Sequence, residues 1–425
     1  MKPINVYKTI GGYRNYDKCR FCQHNIFSVI NLGNVPLAGG FIKKIDDNSI
    51  ISEKFYPLEL FFCPKCYLLQ TNNVIDKETL FKDYYYHSSA ITTLVKHFKS
   101  NADSLIKLFP DTDKKFIVEI GCNDGELISI LSKKGFRSLG IDPASNIVKP
   151  LIKKGLPIIN DYFSESLAAK ISKRHGKADA IVSFHTLAHI EDMHDVVRGI
   201  KMLLKDDGFL AFEVHYLGNL INELQYDMIY HEHQFYYSLH AIINLFKMHE
   251  MEVFDVQRTP IRAGSIMYYI QNIKTGKRNI SKNVKKLLLT EKNLGLEKAE
   301  TFSKYNKKIM KTKKDLMELL SLLKKNKKTI AGYGASGRGT IIMTYCGIGK
   351  NFLDYVIDDA PAKHGAYTPG THLLIKSSSI LKTKNRPDYI LLFAWAFFDE
   401  VIKKNAEYLK RGGKFIIPLP KVKII

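Results

Sequence analysis

The apolar positions change rhythm along the chain. Up to about residue 80 they come in short runs broken by turn residues such as Gly33, Pro36, Gly39, Gly40, Pro57 and Pro64. Two of these runs, Phe55–Phe62 and Tyr67–Gln70, predict strands. From Phe81 the spacing lengthens, and Leu94, Phe98, Leu105 and Leu108 predict a helix. Phe116–Ile120 then reads as a buried strand running into Gly121, and Arg137–Ile141, Ala180–Ser183 and Phe209–Val214 read as further strands with helical patterns between them. That alternation predicts a parallel sheet. Asn279–Lys328 is Lys-rich and helical, with Phe302, Tyr305, Ile309, Leu316 and Leu320 on one stripe and lysines on the other face. A second series follows. Thr329–Ala331 predicts a strand, Gly332–Gly337 a turn and Thr340–Tyr345 a helix, with further strands at Tyr355–Ile357, Tyr389–Phe393 and Lys414–Pro418.

This pattern gives expected boundaries at 1–80 for a small N-terminal module and 81–275 for a central Rossmann-like domain. Bridging helices are expected over 276–328 and a second Rossmann-like domain over 329–425. A length of 425 residues suits about three domains at ~150 residues each. With 45% hydrophobic and 25% charged residues, a wholly disordered chain is excluded. No apolar stretch approaches the ~20 residues of a membrane helix. Met1–Ile10 lacks the apolar centre of a signal peptide, so a cytoplasmic protein with no membrane partner is expected. Lys and Arg number 64 against 42 Asp and Glu, a net charge of +22. That invites a nucleic-acid partner. The lysines are scattered, however, among many Ile, Asn and Tyr, and no basic stripe interleaves with aromatics. A general composition bias explains the charge better, and nucleic acid is not the expected partner.

The six cysteines sharpen the picture. Cys19 and Cys22 form one C-x-x-C pair and Cys63 and Cys66 another, in a turn-rich stretch too small to fold well alone. Two such turns supply the four thiolates of a closed, structural zinc site. Cys122 and Cys346 stand alone.

The predicted strand at Phe116 ends in Val118-Glu119-Ile120-Gly121-Cys122-Asn123-Asp124-Gly125, an acidic residue followed by a Gly-x-x-x-Gly turn. This resembles motif I of class I methyltransferases, which bind S-adenosylmethionine. The resemblance implies that Gly121, Asn123 and Gly125 let the backbone approach that cofactor and that Glu119 faces its cationic amino group. It implies further that Asp142, at the end of the next strand, accepts the ribose hydroxyls, and that Asp161, Tyr162 and Phe163 grip the adenine. The competing reading is another nucleotide cofactor on a Rossmann-like sheet.

Two histidine clusters remain. His185 and His189 follow a predicted strand, which puts His189 at the carboxyl edge of the sheet. Tyr230-His231-Glu232-His233-Gln234 gathers five side chains able to hydrogen-bond, four of them titratable. Its spacing suits a base oriented by an acid better than it suits a metal.

With Tyr226-Asp227-Met228-Ile229 before it, the Tyr-His-Glu-His stretch resembles the signature of the sugar nucleotide C-methyltransferases. These enzymes methylate C3 of a nucleotide-linked 4-keto-6-deoxyhexose. The likeness spans nearly the whole chain: the paired cysteines, Tyr86-His87-Ser88-Ser89, the methyltransferase motifs, Ala188-His189, Gly332-Tyr333-Gly334-Ala335, Asp358–Gly365 and Pro369-Gly370-Thr371. It implies an α/β protein with a small zinc-binding N-terminal module, a central class I methyltransferase domain and a C-terminal Rossmann-like domain that holds the sugar nucleotide. It implies S-adenosylmethionine and structural zinc as cofactors, and a monomer acting on a thymidine or other nucleoside diphosphate sugar. By the same likeness His233 is the catalytic base, with Tyr86, His189, Tyr230 and Glu232 around the sugar. The chain departs from the family in two places. Arg262-Ala263-Gly264-Ser265-Ile266-Met267 stands where the family has His-Gly-Gly-Ser-Leu-Arg, and His185 where it often has Asn. The alternatives are a nucleic-acid methyltransferase, motivated by the net charge, and a scaffold that binds the donor without turnover, motivated by Arg262 and Met267.

The C-terminal turn, Gly332-Tyr333-Gly334-Ala335-Ser336-Gly337, fits G-x-G-x-x-G and on its own suggests NAD. The expectation here is that Gly332, Tyr333, Gly334 and Ser336 cradle a sugar nucleotide's pyrophosphate. Arg338 and Lys363 would add charge and Asp358 would stand close by.

Overall fold

A computed structural model describes residues 7–10, 12–45, 52–82, 84, 87–90, 92–109 and 115–425. The chain divides into two compact units. One comprises Met1–Phe27, Phe62–Gly218 and Gln234–Lys298, the other Ser28–Phe61, Asn219–His233 and Ala299–Ile425.

The first unit is organised by a seven-stranded sheet: β1 (Phe116–Ile120), β2 (Arg137–Ile141), β3 (Ile158–Ile159), β4 (Ala178–Phe184), β5 (Leu204–His215), β6 (Met251–Thr259) and β7 (Ser265–Asn272). Their spatial order is 6-7-5-4-1-2-3. β1 is buried at every position, as its four apolar residues require, and it carries Glu119 into the interior with them. Strands β1 to β5 pair in parallel through helical crossovers. The expectation of a parallel sheet is corrected at one edge, because β7 runs antiparallel to both β5 and β6. A chain returning from a short turn at Ile261–Ala263 can only pair antiparallel, without a crossover helix. Helix α1 (Thr92–Leu108) buries Leu94, Phe98 and Leu105 against the sheet, but Leu108 is exposed, since the helix has turned that position outward at its end.

The order of strands reverses between β1 and β4. In open α/β sheets that point leaves a crevice beyond the carboxyl ends of the strands.

The second unit has its own six-stranded sheet: β8 (Ile330–Tyr333), β9 (Val356–Asp358), β10 (Ile375–Ser377), β11 (Tyr389–Leu392), β12 (Lys414–Ile417) and β13 (Lys423–Ile424), in the order 10-9-8-11-12-13. All pair in parallel except β13 at the edge. Helix α2 (Gly337–Cys346) follows β8. The Lys-rich stretch resolves into two helices, Lys282–Leu294 and Ala299–Lys325, the first stopped by Gly295 in the left-handed conformation. Early residues are also woven into this unit. Ile42 bridges to Tyr367, and the Glu53 carboxylate accepts from Gly370 N at 2.8 Å and pairs with His372 at 2.7 Å.

Candidate active site

Each cysteine pair sits on a tight turn of the same shape. Gln23 N and Tyr67 N bond back to the carbonyls of Cys19 and Cys63 at 2.9 Å, and both residues are left-handed, with φ of 58° and 62°. The turns bring all four sulfurs within 4.8 Å of one another. Tetrahedral zinc with Zn–S bonds of ~2.3 Å needs sulfurs about 3.8 Å apart. The pairs Cys19–Cys66 and Cys22–Cys63 stand at 3.4 Å, close enough for an ion to draw them to its own spacing. Among the described residues this is the one cluster of metal-ligating groups.

Arg20 lies inside the first turn and is 3% exposed. Its guanidinium donates to the Gln234 side-chain oxygen at 2.6 Å and to the Gln234 and Thr71 carbonyls at 2.9 Å, and it lies 4.1 Å from the centre of the Phe235 ring. Burial lowers its pKa to about 10. Gln234 in turn donates to the His189 carbonyl at 2.9 Å. No periodicity or motif announces this link, because its acceptors are carbonyls scattered along the chain.

A cleft opens at the carboxyl ends of β1, β2 and β4. Gly121 and Asn123, Asp142, the Asp161–Phe163 stretch, His185 and His189 line it. Gly121 has φ +78°, and a Cβ there would run into the Thr186 side chain. The Asp142 carboxylate accepts from Asn123 N at 2.8 Å and Ala144 N at 2.9 Å, so it shapes the two loops that flank it. Gly125 has φ +69° and starts the helix after β1, where a Cβ would press on Leu156 at 2.9 Å. Lys77 stands 4.2 Å over the Tyr162 ring. Ser88 N bonds Asn123 Oδ1, and Ser89 bonds Asp124 Oδ2 through both N and Oγ, so these two serines are tied to the motif I turn. Tyr86 itself lies outside the described residues.

Glu119 is buried, and its Oε2 has no hydrogen-bond partner. Burial, then the charges of Asp142 and Asp124, hold its carboxyl well above the usual range. An orphaned buried carboxylate beside an open cleft fits a cationic ligand group, and Asp142 fits a diol. The residues thus suit S-adenosylmethionine.

His189 stacks on Phe81 with centroids 5.6 Å apart. His185 belongs to a network the sequence did not reveal. The buried Glu213 accepts from His97 at 2.6 Å, His185 at 3.1 Å and Thr259 at 3.2 Å. Burial pushes Glu213 up, but the two histidines outweigh it and bring it to about 2. Burial, then Arg262, lowers His185 to about 4. His97 lies inside a helix and Glu213 near the carboxyl end of a strand far along the chain, so spacing alone could not pair them.

In the second unit, Tyr230, Glu232 and His233 follow a short turn, Tyr226–Met228. Glu232 and His233 are buried, and the rings of Tyr230 and His233 lie 4.0 Å apart. His233 Nδ1 donates to the Met228 carbonyl at 2.9 Å. His231 donates to the Pro57 carbonyl at 3.2 Å, and burial lowers its pKa to about 4.

The C-terminal turn brings together the residues expected there. Ser336 caps α2 by accepting from Gly339 N at 3.3 Å. Lys363 donates to the Ala335 carbonyl at 2.6 Å and pairs with Asp358 at 3.2 Å, and Tyr333 donates to Asp359 at 2.7 Å. Packing accounts for both glycines: a Cβ on Gly332 would lie 2.5 Å from Phe393, and one on Gly334 2.9 Å from Ala394. Arg338 engages Asp227, 2.7 Å from Nε and 3.1 Å from Nη2.

The strand order, the glycine turn and the acidic residues of the cleft define a methyltransferase that uses S-adenosylmethionine. A family model described as C-methyltransferase C-terminal domain matches residues 260–420, a methyltransferase domain model matches 95–255, and a zinc binding domain model matches 19–81. Over 413 residues the chain is 31% identical to C-methyltransferase NovU of Streptomyces niveus, covering 97% of each. It is 28% identical over 102 residues to a ubiquinone biosynthesis O-methyltransferase of Chromobacterium violaceum, covering 23% of this chain and 43% of that one. Among solved structures, magnesium protoporphyrin IX methyltransferase from Synechocystis PCC 6803 is 14% identical with a TM-score of 0.33, covering 45% of this chain and 89% of that chain. The chain belongs to the C-methyltransferase family represented by NovU, as the Tyr230–His233 signature implied, and zinc and S-adenosylmethionine are its cofactors.

Proposed function

We propose that the protein methylates C3 of a nucleotide-linked 4-keto-deoxysugar, with His233 as the base that forms the enolate. A carbon is a poor nucleophile until a proton beside a carbonyl is removed, so such an enzyme needs a base that is neutral and correctly oriented. The bond from His233 Nδ1 to the Met228 carbonyl carries this reading. A carbonyl can only accept, so Nδ1 holds the ring proton and the lone pair of the neutral imidazole lies on Nε2. Tyr230, packed on that ring, and His189, in the donor cleft, are the donors assigned to the enolate oxygen, and Glu232 is assigned to the sugar. Tyr86 completes the set. S-adenosylmethionine supplies the methyl group; Glu119 and Asp142 hold its amino group and ribose. The turn of Gly332, Tyr333, Gly334 and Ser336, closed by Lys363 and Asp358, is assigned to the nucleoside diphosphate, thymidine or another. The proposed enzyme is a cytoplasmic monomer, a reducing setting that suits four metal-binding thiolates.

The test is mass spectrometry of a panel of nucleotide 4-keto sugars incubated with protein and donor. A product heavier by one methylene is expected, and the C3 proton should exchange with deuterium. His233→Ala should bind both ligands and lose about 10²–10⁴-fold in rate. Exchange persisting undiminished in His233→Ala would remove His233 from the role.

A further inference from the structure

We propose that Arg338 is a positioning residue: through Asp227 it fixes the orientation and tautomer of His233. The proposal rests on the reading of His233 as the base. Asp227 is fully buried. Its Oδ2 accepts from Arg338 Nε at 2.7 Å and from Trp395 Nε1 at 2.8 Å, and its Oδ1 accepts from Arg338 Nη2 at 3.1 Å. The guanidinium also lies 4.6 Å from the centre of the Trp395 ring. This is a forked, directional grip. For stability alone it is a poor choice, because a buried ion pair is often no better than an apolar pair of the same volume.

Its direction has a use. Asp227 is the middle residue of the Tyr226–Met228 turn, and the carbonyl of the next residue, Met228, accepts the His233 Nδ1 proton. The turn closes with Ile229 N on Tyr226 O at 3.0 Å, and His233 N bonds Tyr230 O at 2.9 Å. Five residues separate Asp227 from His233, and hydrogen bonds lock them into one compact loop. The two ends of helix α2 both hold the start of that loop. Its first turn carries Arg338, and its last residue, Cys346, lies 3.6 Å from the Tyr226 hydroxyl, while Tyr345 packs against the Tyr226 ring at 5.5 Å. If the Met228 carbonyl swings away, the bond that keeps the ring proton on Nδ1 is lost. Arg338, expected from sequence to meet a phosphate, is assigned here to the base.

The experiment replaces both partners by apolar residues, Asp227→Leu with Arg338→Met, so that no orphan charge is buried. Three readouts apply: kcat and KM for methylation, C3 deuterium exchange, and ¹⁵N NMR of the His233 ring, assigned by the signals lost in His233→Gln. The double variant is expected to melt within a few degrees of wild type and to keep KM within about threefold. Its kcat and exchange should fall at least tenfold together, with His233 shifting from one tautomer to a mixture. Arg338→Lys keeps the charge without the fork; it should fold even if the double variant does not, and should lie between. A double variant or Arg338→Lys with wild-type kcat and an unchanged ¹⁵N pattern overturns the proposal. A wild type that exchanges no proton from any keto sugar would instead defeat the reading of His233 as base, while the tautomer comparison still decides whether Arg338 sets the ring.

Discussion

Glu119 shows how one side chain reports on a ligand. Its folded pKa stands above the ordinary 4.5, chiefly through burial. The sign follows directly. The folded protein holds this proton more tightly than the unfolded chain, so the contribution to stability is full below about 4.5 and is lost as pH rises through the folded value. The ligand-free protein should therefore lose melting temperature over that interval faster than Glu119→Gln does, and a donor analogue should restore it by pairing the carboxylate. Calorimetry in buffers of different ionisation heat should show a proton released on binding. Equal proton counts for wild type and Glu119→Gln would refute the pairing. At Asp142 the expectation is simpler. Asp142→Ala removes two hydrogen bonds of about 1.5–3 kcal/mol each from a bound ribose and frees the amides of Asn123 and Ala144. Donor affinity should fall at least 100-fold, measured by calorimetry, with sugar nucleotide binding little changed. Both residues could be singled out in the sequence because Glu119 stands one place before the end of a predicted strand and Asp142 directly after one. His97 and Glu213 were not, because their pairing depends on how a helix seats on the sheet, which no local spacing records.

At the scale of elements, β1, β2, β4 and β5 of the first sheet and β8, β9, β11 and β12 of the second were legible from their apolar runs, whereas the short β3, β10 and β13 and the edge strand β6 were not. β7 was not, since its apolar run carries no mark of direction and only the short return at Ile261–Ala263 sets it antiparallel. The cysteine turns announced their metal but not their reach. Cys63→Ser should abolish stoichiometric zinc, read by elemental analysis, and lower the melting temperature, because binding energy there is folding energy. Gln234→Glu probes the reach. It keeps the acceptor for Arg20, now as an ion pair, but removes the donor to the His189 carbonyl. Zinc content and stability should hold while kcat falls about 10- to 100-fold, the usual price of a small misplacement. An undiminished kcat in a stable Gln234→Glu would leave Arg20 as packing only.

At the scale of the whole molecule, each unit is assembled from three separated stretches of chain. The rhythm of apolar positions marks where sheets begin and end, but not that Ser28–Phe61 and Asn219–His233 belong to the C-terminal unit; that is decided by pairings such as Glu53 with His372 and Asp227 with Arg338. A fragment of residues 299–425 would lack both stretches and leave Arg338 without its carboxylate. It should be poorly soluble or give poorly dispersed NMR spectra, whereas co-expression with the rest of the chain should recover it. A well-dispersed, monomeric fragment would show that the sheet needs neither.

The placement of Arg20 between two zinc ligands has a consequence for anyone assaying this enzyme. Stripping the ion would release Arg20, then Gln234, then the backbone at His189, so turnover should vanish with the metal as it does in an enzyme whose metal touches substrate. The two cases part on substitution. Here cobalt or cadmium, held by the same four sulfurs, should return the same rate as zinc and leave the pH profile unmoved, because on this reading the ion acts as a knot in the chain and its Lewis acidity never reaches the substrate.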